Sequence, residues 1–173
     1  VDRLRDAVGE VVVTHPIEVT DNLALYERFG AMFDRAARAA TLAAALREAL
    51  EANRAAAFAP RDVVYLIWKD PWMTVSADTY VAKMLATVGL RAIAPASPRR
   101  YPELDWTTFD ASRADALLLS SEPYRFGERD VAALAADPAA RGRHVALIDG
   151  EMASWYGSRA IAEKVEQLMY QAR

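Results

Sequence analysis

Three times in this chain a short apolar run breaks into a loop that carries an acid and aromatic rings. Val63-Val64-Tyr65-Leu66-Ile67-Trp68 leads into Lys69-Asp70-Pro71-Trp72-Met73. Ala116-Leu117-Leu118-Leu119-Ser120-Ser121 leads into Glu122-Pro123-Tyr124-Arg125-Phe126, and Val145-Ala146-Leu147-Ile148-Asp149 into Gly150-Glu151-Met152-Ala153-Ser154-Trp155-Tyr156. Helical patterns lie between the runs, so the strands are predicted to be parallel. In an open parallel sheet the loops after the strands meet at one edge, where such sheets bind ligands. Three of the four Trp fall on that predicted edge, which suits a large, flat or greasy ligand held by rings and oriented by a few polar groups.

The remaining pattern fills out an α/β architecture. Residues Asp2–Val8 read as the end of a helix and Val11–Thr14 as a short strand broken by His15-Pro16. Thr20-Asp21-Asn22 resembles a helix cap, with Leu23, Tyr26, Phe29 and Phe33 following at helical spacing. A long Ala-rich stretch runs from Asp34 to Ala59, with Leu42, Leu46 and Leu50 at intervals of four. About 23 helical residues would span roughly 35 Å, long enough to act as a spine between two lobes. Ser76-Ala77-Asp78 is expected to cap a helix that Gly89 ends, Arg91–Ile93 to form a short strand, and Arg129–Ala136 and Arg159–Gln171 to form the later helices. The expected fold is therefore an α/β three-layer lobe with a mainly parallel sheet, preceded by a long helix and the tail of a second α/β lobe.

Composition removes several kinds of function. A chain that is 53% hydrophobic and 26% charged is globular rather than disordered. A net charge of −3 and no long basic run argue against nucleic acid as a partner. No apolar stretch reaches the roughly 18–20 residues of a membrane span. The absence of Cys removes disulfides, thiol catalysis and thiolate metal sites. The two histidines, His15 and His144, lie far apart without ligand partners at metal spacing, so a metal is expected only inside a chelating ligand. The chain starts at Val1 without a charged-then-apolar leader, and reads as mature, trimmed or partial.

The chemistry is expected in the three loops. Ser120, Ser121 and Ser154 sit near acids, without a G-x-S-x-G elbow or an obvious base, and no phosphate-binding glycine loop occurs. Asp149-Gly150 reads first as a turn. The ring-bearing loops nominate Trp68, Asp70, Pro71 and Trp72 from the first, Ser121, Glu122 and Tyr124 from the second, and Trp155 and Tyr156 from the third. Arg159, just after Gly157-Ser158, is placed to fix a carboxylate or a loop.

At these same loops the sequence resembles a known family. Tyr65–Val75 with Asp78-Thr79-Tyr80, then Arg100-Tyr101-Pro102-Glu103, Leu119–Tyr124 and Asp149–Arg159, recur in that order in the helical-backbone (class III) substrate-binding proteins of ABC importers, in the branch that binds cobalamin or iron chelates. The resemblance implies two α/β lobes joined by one rigid helix, with ligand held between them and no chemistry done on it. Residues 1–33 then correspond to the end of an N-terminal lobe, 34–59 to the backbone helix and 60–173 to the C-terminal ligand-binding lobe; about the first half of the family's pattern has no counterpart. The implied ligand is a corrinoid, haem or ferric siderophore, with no cofactor of the protein's own. The implied partners are ABC permease subunits, with Glu122 and Glu151 as candidate docking acids. The implied location is the periplasm or a lipid-anchored extracytoplasmic position.

Two other readings compete. One is a small hydrolase-like α/β enzyme that uses Asp70, Glu122, Asp149 or Glu151 at the sheet edge. The other is an oligomerising fragment that self-associates through residues 1–33 and the backbone helix.

Overall fold

A computed structural model describes Val8 and residues 11–160. The helix ending expected over Asp2–Val8 lies outside the described residues except for Val8. Of the closing helix expected over Arg159–Gln171, only the opening is described, as a 3-10 turn at Gly157–Ala160.

Two helices come first. Helix α1 spans Asp21–Met32 and helix α2 Ala36–Ala56. Residues 11–17 form no strand, contrary to expectation. Pro16 supplies no N–H, no described strand lies alongside, and Val13 points outward. Asp21 instead gathers this approach, its Oδ2 accepting the N–H groups of Ile17 at 2.8 Å and Glu18 at 2.9 Å. The expected long helix is present with trimmed ends. Its 21 residues correspond to about 31 Å of helix, bounded by left-handed backbone at Asp34 and Ala57. Only a narrow stripe of α2, Leu46, Ala49 and Asn53, is buried.

The sheet begins with β1 (Arg61–Trp68), followed by β2 (Met73–Thr74), helix α3 (Tyr80–Ala86), β3 (Leu90–Ala92), β4 (Ala116–Ser120), helix α4 (Glu128–Ala136), β5 (His144–Ile148) and the short helix α5 (Gly150–Ser154). Strand β1 pairs in parallel with β3 over Arg61–Val63 and with β4 over Val63–Leu66, and β4 pairs in parallel with β5. The two-residue β2 folds back antiparallel against the end of β1, with Leu66 opposite Thr74. The parallel strands thus lie in the order β3-β1-β4-β5. The chain leaves β1 toward one edge and later returns to its other side, which places the topological switch point between β1 and β4.

Alternation along the strands explains the three layers. Val63 and Tyr65 of β1 and Ala116 and Leu118 of β4 join one core with Val19 and Tyr26, Leu46 of α2, Val81, Met84 and Leu85 of α3, and Ala153. Val64 and Leu66, with Leu117 and Leu119, join the opposite core with Leu104, Phe109, Phe126 and Leu134 of α4. Both faces of β1 and β4 are covered, so these strands read as unbroken apolar runs. Helix α1 belongs to the first core through Tyr26, and the segment before the backbone helix is packed onto the lobe. No helix among the described residues is long and apolar enough to cross a membrane.

The cap of α3 differs from expectation. Thr79, not Ser76-Ala77-Asp78, caps it, its hydroxyl accepting from the Ala82 N–H at 3.3 Å. Gly89 lies beyond the helix at φ +78°, where a Cβ would meet Phe58 Cβ at 2.9 Å. This turn feeds β3.

A buried amide locks the helices onto the lobe. Asn22 Nδ2 donates to Val19 O at 2.8 Å and to the Tyr80 hydroxyl at 2.9 Å, while its Oδ1 accepts the Gly157 N–H at 2.6 Å. Burial pushes the Tyr80 phenol up to about 12, partly opposed by the bond to Asn22. The unfolded chain gives up this proton nearer 10.0, so the folded state holds it over the interval between. The Tyr80 contribution is therefore intact below the unfolded value and is lost as pH rises toward about 12. Burial raises Tyr26 and Tyr65 as well, with the same sign. Urea unfolding followed by circular dichroism from pH 8 upward is expected to show stability falling once pH passes the ordinary tyrosine range, with a shallower fall in Tyr80→Phe.

Helices α1 and α2 touch where there is no side chain to separate them. A Cβ on Gly30 would lie 2.5 Å from Ala39 Cβ and 3.4 Å from Ala36 Cα, both on the facing helix. Overpacking costs about 1–3 kcal/mol, and the better helix propensity of Ala returns about 1 kcal/mol. Ala39 Cβ has no torsion with which to swing aside, so the cost falls in the upper part of that range and the net is about 1–2 kcal/mol. Gly30→Ala is expected to lower the melting temperature by roughly 2–8 °C in a thermal scan, at about 2–4 °C per kcal/mol for a chain of this size.

Candidate ligand-binding crevice

At the carboxyl ends of β1 and β4, where the strand order reverses, the surface opens into a crevice of about 360 Å³. Its floor is Tyr65, Ile67, Val75 and Val81, and its rim includes Trp68, Met73, Tyr101, Glu122, Pro123 and Ser154. Larger hollows lie elsewhere, of about 410 Å³ along Val13–Arg28 and about 520 Å³ beside Asp62, Lys83 and Arg91. Neither receives the loops of the carboxyl edge. The crevice does, and its lining is mostly apolar with few polar groups, the pattern of a small-molecule site.

The loops are built around hydrogen-bonded side chains on the strands. The Tyr65 hydroxyl and Ser120 Oγ share a buried hydrogen bond of 2.9 Å. Ser120 Oγ donates to the Glu122 carbonyl at 2.6 Å and accepts from the Glu122 N–H at 3.2 Å, which turns the chain out of β4. Tyr65 is held protonated, chiefly by burial. The Ser121 hydroxyl accepts the Gly150 N–H at 2.9 Å, tying the loop after β4 to the start of α5. Gly150 is required there, because a Cβ would sit 2.4 Å from Ser120 Oγ and 2.8 Å from the Glu122 nitrogen. Asp149 caps α5, its Oδ1 accepting the N–H groups of Glu151 at 2.9 Å and Met152 at 3.4 Å.

The nominated rings divide into two groups. Trp68 is 40% exposed at the rim, and Trp155 and Tyr156 are 48% and 46% exposed, so each has a face left for another molecule. Trp155 Nε1 donates to Glu122 Oε2 at 2.6 Å, and Tyr156 meets Tyr80 edge-on at 6.1 Å. Tyr124 supports rather than lines the crevice: Trp68 packs edge-to-face on it at 5.4 Å. Trp72 is turned away altogether. It stacks on Phe126 at 5.9 Å and an interplanar angle of 7°, meets Trp106 at 5.9 Å, and packs against the core on the other side of the sheet. The rings Trp68, Tyr124, Phe126 and Trp72 thus form one continuous ladder from rim to core.

The first loop is fastened by charge. Lys69 forms an ion pair with Asp130 of α4 and lies 5.4 Å over the Tyr124 ring. The Asp130 contact holds the ammonium above its ordinary range and the carboxylate below its own. Asp70 turns the chain at φ +60°, before an exposed Pro71; neither residue lines the crevice. Arg159 lies in the 3-10 turn, and its side chain is outside the described residues. Among the described residues no group of three or more His, Cys, Asp and Glu is arranged to hold a metal.

Several lining residues were not anticipated: Tyr65, Ile67, Met73, Val75, Val81, Tyr101, Pro123 and Ser154. Tyr101 reaches the crevice because the 100–103 segment runs beside β2, with Thr74 N–H donating to Pro102 O at 3.0 Å and Ser76 N–H to Arg100 O at 2.9 Å. The Arg100–Glu103 motif was the available signal, but a two-residue strand leaves no periodicity to read.

No protein-family model matches the sequence, and no curated protein matches it. The fold does match solved structures. The periplasmic haem-binding protein BhuT, in complex with two haems, superposes with a TM-score of 0.78 at 21% identity, covering 99% of this chain and 69% of that one. A structure from Staphylococcus epidermidis described as a possible iron-binding (periplasmic solute-binding) protein gives 0.77 at 15% identity, covering 98% and 69%. The periplasmic vitamin B12-binding protein BtuF of Vibrio cholerae gives 0.75 at 16% identity, covering 99% and 68%. This chain thus spans about two thirds of the length of these structures. The mainly parallel sheet and long helix of this chain are therefore the fold of these periplasmic binding proteins, which is the fold that the resemblance to helical-backbone substrate-binding proteins implied.

Proposed function

We propose that the chain is ligand-binding machinery of an ABC importer, taking a metal chelate (a corrinoid, haem or ferric siderophore) without altering it. The observation that carries this reading is the apolar crevice at the switch point, rimmed by the exposed rings of Trp68 and Tyr101, with the exposed Trp155 indole bonded to the rim residue Glu122. Flat macrocycles and chelates offer extended π and alkyl surface, which such rings hold by stacking and burial. The similar periplasmic proteins that bind haem and vitamin B12 support the same ligand class. In this reading Trp68, Tyr101 and Trp155 contact the ligand face, and Ser154 brings a polar group to its periphery. Arg159 would pair with an anionic substituent. The protein works outside the cytoplasmic membrane and delivers its ligand to permease subunits, with Glu151 as a docking acid.

The site geometry favours this over the hydrolase-like alternative. Ser120 is spent on Tyr65 and Glu122, Ser121 on Gly150, and Asp149 on capping α5, so these serines and this acid serve structure. Self-association is favoured by a separate observation: Phe29, Met32 and Phe33 stand exposed at the end of α1. Sedimentation velocity is expected to give a concentration-dependent dimer that Phe33→Asp returns to monomer; a monomer at every concentration would remove that reading.

The test of ligand binding is a tryptophan-fluorescence titration with haemin, cyanocobalamin and a ferric siderophore. Saturable quenching by one of them is expected. Trp68→Ala and Trp155→Ala should each weaken it about tenfold or more, corresponding to about 1.4 kcal/mol, while Trp106→Phe, in the far core, leaves the affinity unchanged. Absence of saturable binding by any of the three, from a chain with intact near-ultraviolet circular dichroism, would overturn the proposal.

A further inference from the structure

We infer that Glu122 is the positioning residue of the crevice: its carboxylate holds the Trp155 indole beside the rim, so that the loop after β4 and the end of α5 act as one jaw. The inference rests on the binding role proposed above and assigns Glu122 to ring orientation rather than to permease docking. An indole about half exposed to solvent has little packing to fix its two side-chain torsions. Here the ring is fixed instead by a hydrogen bond from Nε1 to Glu122 Oε2 at 2.6 Å. A bond to an ionised acceptor is shorter and stronger than one between neutral groups, and the 2.6 Å separation lies at the short end of the range.

A latch positions its partner only if it is itself held, and Glu122 is held on three sides. Its N–H and carbonyl both bond Ser120 Oγ, at 3.2 and 2.6 Å. Ser120 Oγ is fixed in turn by the buried Tyr65 hydroxyl at 2.9 Å. Gly150 presses so close that a Cβ there would lie 3.0 Å from Glu122 Cβ. From Gly150 the five-residue helix α5 leads directly to Trp155, so Glu122 grips both ends of one short rigid element. The line Tyr65, Ser120, Glu122, Trp155 runs from the buried centre of the sheet to an exposed aromatic face. Tyr65 and Glu122 both line the crevice, so a ligand there touches the device that aims the ring.

The first arm of the test needs no ligand. In ¹⁵N-labelled protein, the Trp155 indole N–H, assigned by its loss in Trp155→Phe, should exchange slowly with solvent in the wild type and in Glu122→Gln, whose amide oxygen still accepts. It should exchange several-fold faster in Glu122→Ala. The second arm titrates the same variants with haemin, cyanocobalamin and a ferric siderophore. For whichever probe binds the wild type, Glu122→Ala should weaken binding about tenfold, Glu122→Gln should restore it to within about twofold, and Glu122→Ala should add nothing to Trp155→Phe in a double-mutant cycle. Unchanged indole exchange in Glu122→Ala, additive losses, or a Glu122→Gln as damaging as the alanine would each overturn the inference. Failure of all three probes on the folded wild type would overturn the binding role, while the exchange arm still decides whether Glu122 holds the ring.

Discussion

Strand β1 is the member on which everything else is registered. Parallel strands pair along both of its edges, cores press on both of its faces, and Val63, Val64 and Leu66 are wholly buried. A strand in that position has no freedom to slip, because a shift of one residue would carry Tyr65 from one core into the other. Its end is also the one place where neighbouring connections depart in opposite directions. The gap between β1 and β4 is therefore a consequence of topology, and the side chains need only decide what lines it. Apolar groups from β1, from Val75 just after β2 and from α3 make the floor, and strand ends and the following loops make most of the rim.

The helical hairpin depends on the same lobe through different physics. Its contact stripe is narrow, and much of α2 is exposed. Close approach at Gly30 and the three bonds of Asn22 compensate for small hydrophobic area with fit and direction. A buried amide whose donor and acceptor are both satisfied specifies one arrangement, since any rotation or slide leaves a polar atom unpaired. Asn22 also joins segments far apart in sequence, so helix α1, helix α3 and the turn at Gly157 take their relative positions from one side chain.

The parts that could be read in the sequence were those in which a single pattern dominates. Strands β1, β4 and β5 are continuous apolar runs because both of their faces are buried, and the long helix shows in its Leu spacing. Misreadings occurred where local pattern and tertiary surroundings part. Val11–Thr14 has strand-like residues but no neighbouring strand to pair with. Ser76, Asp78 and Thr79 are all cap-forming residue types, and only the turn geometry selects Thr79. Trp72 follows a turn at Asp70 that ends strand alternation, so its spacing from Trp68 carried no information about which face it meets. Tyr101 is brought in by pairing of a two-residue strand, a signal below the reach of periodicity.

The ladder from Trp68 through Tyr124 and Phe126 to Trp72 bears on the entropy of recognition. A flexible aromatic rim must surrender rotamer freedom at the moment a ligand arrives, and that loss subtracts from affinity. Here Trp68 is braced through successive rings to side chains inside the second core, and Lys69 clamps Tyr124 from above. Much of the ordering is thereby completed when the lobe folds. Trp68 behaves as an extension of the interior, a solid surface offered to solvent, and any molecule meeting it there would find the ring already ordered.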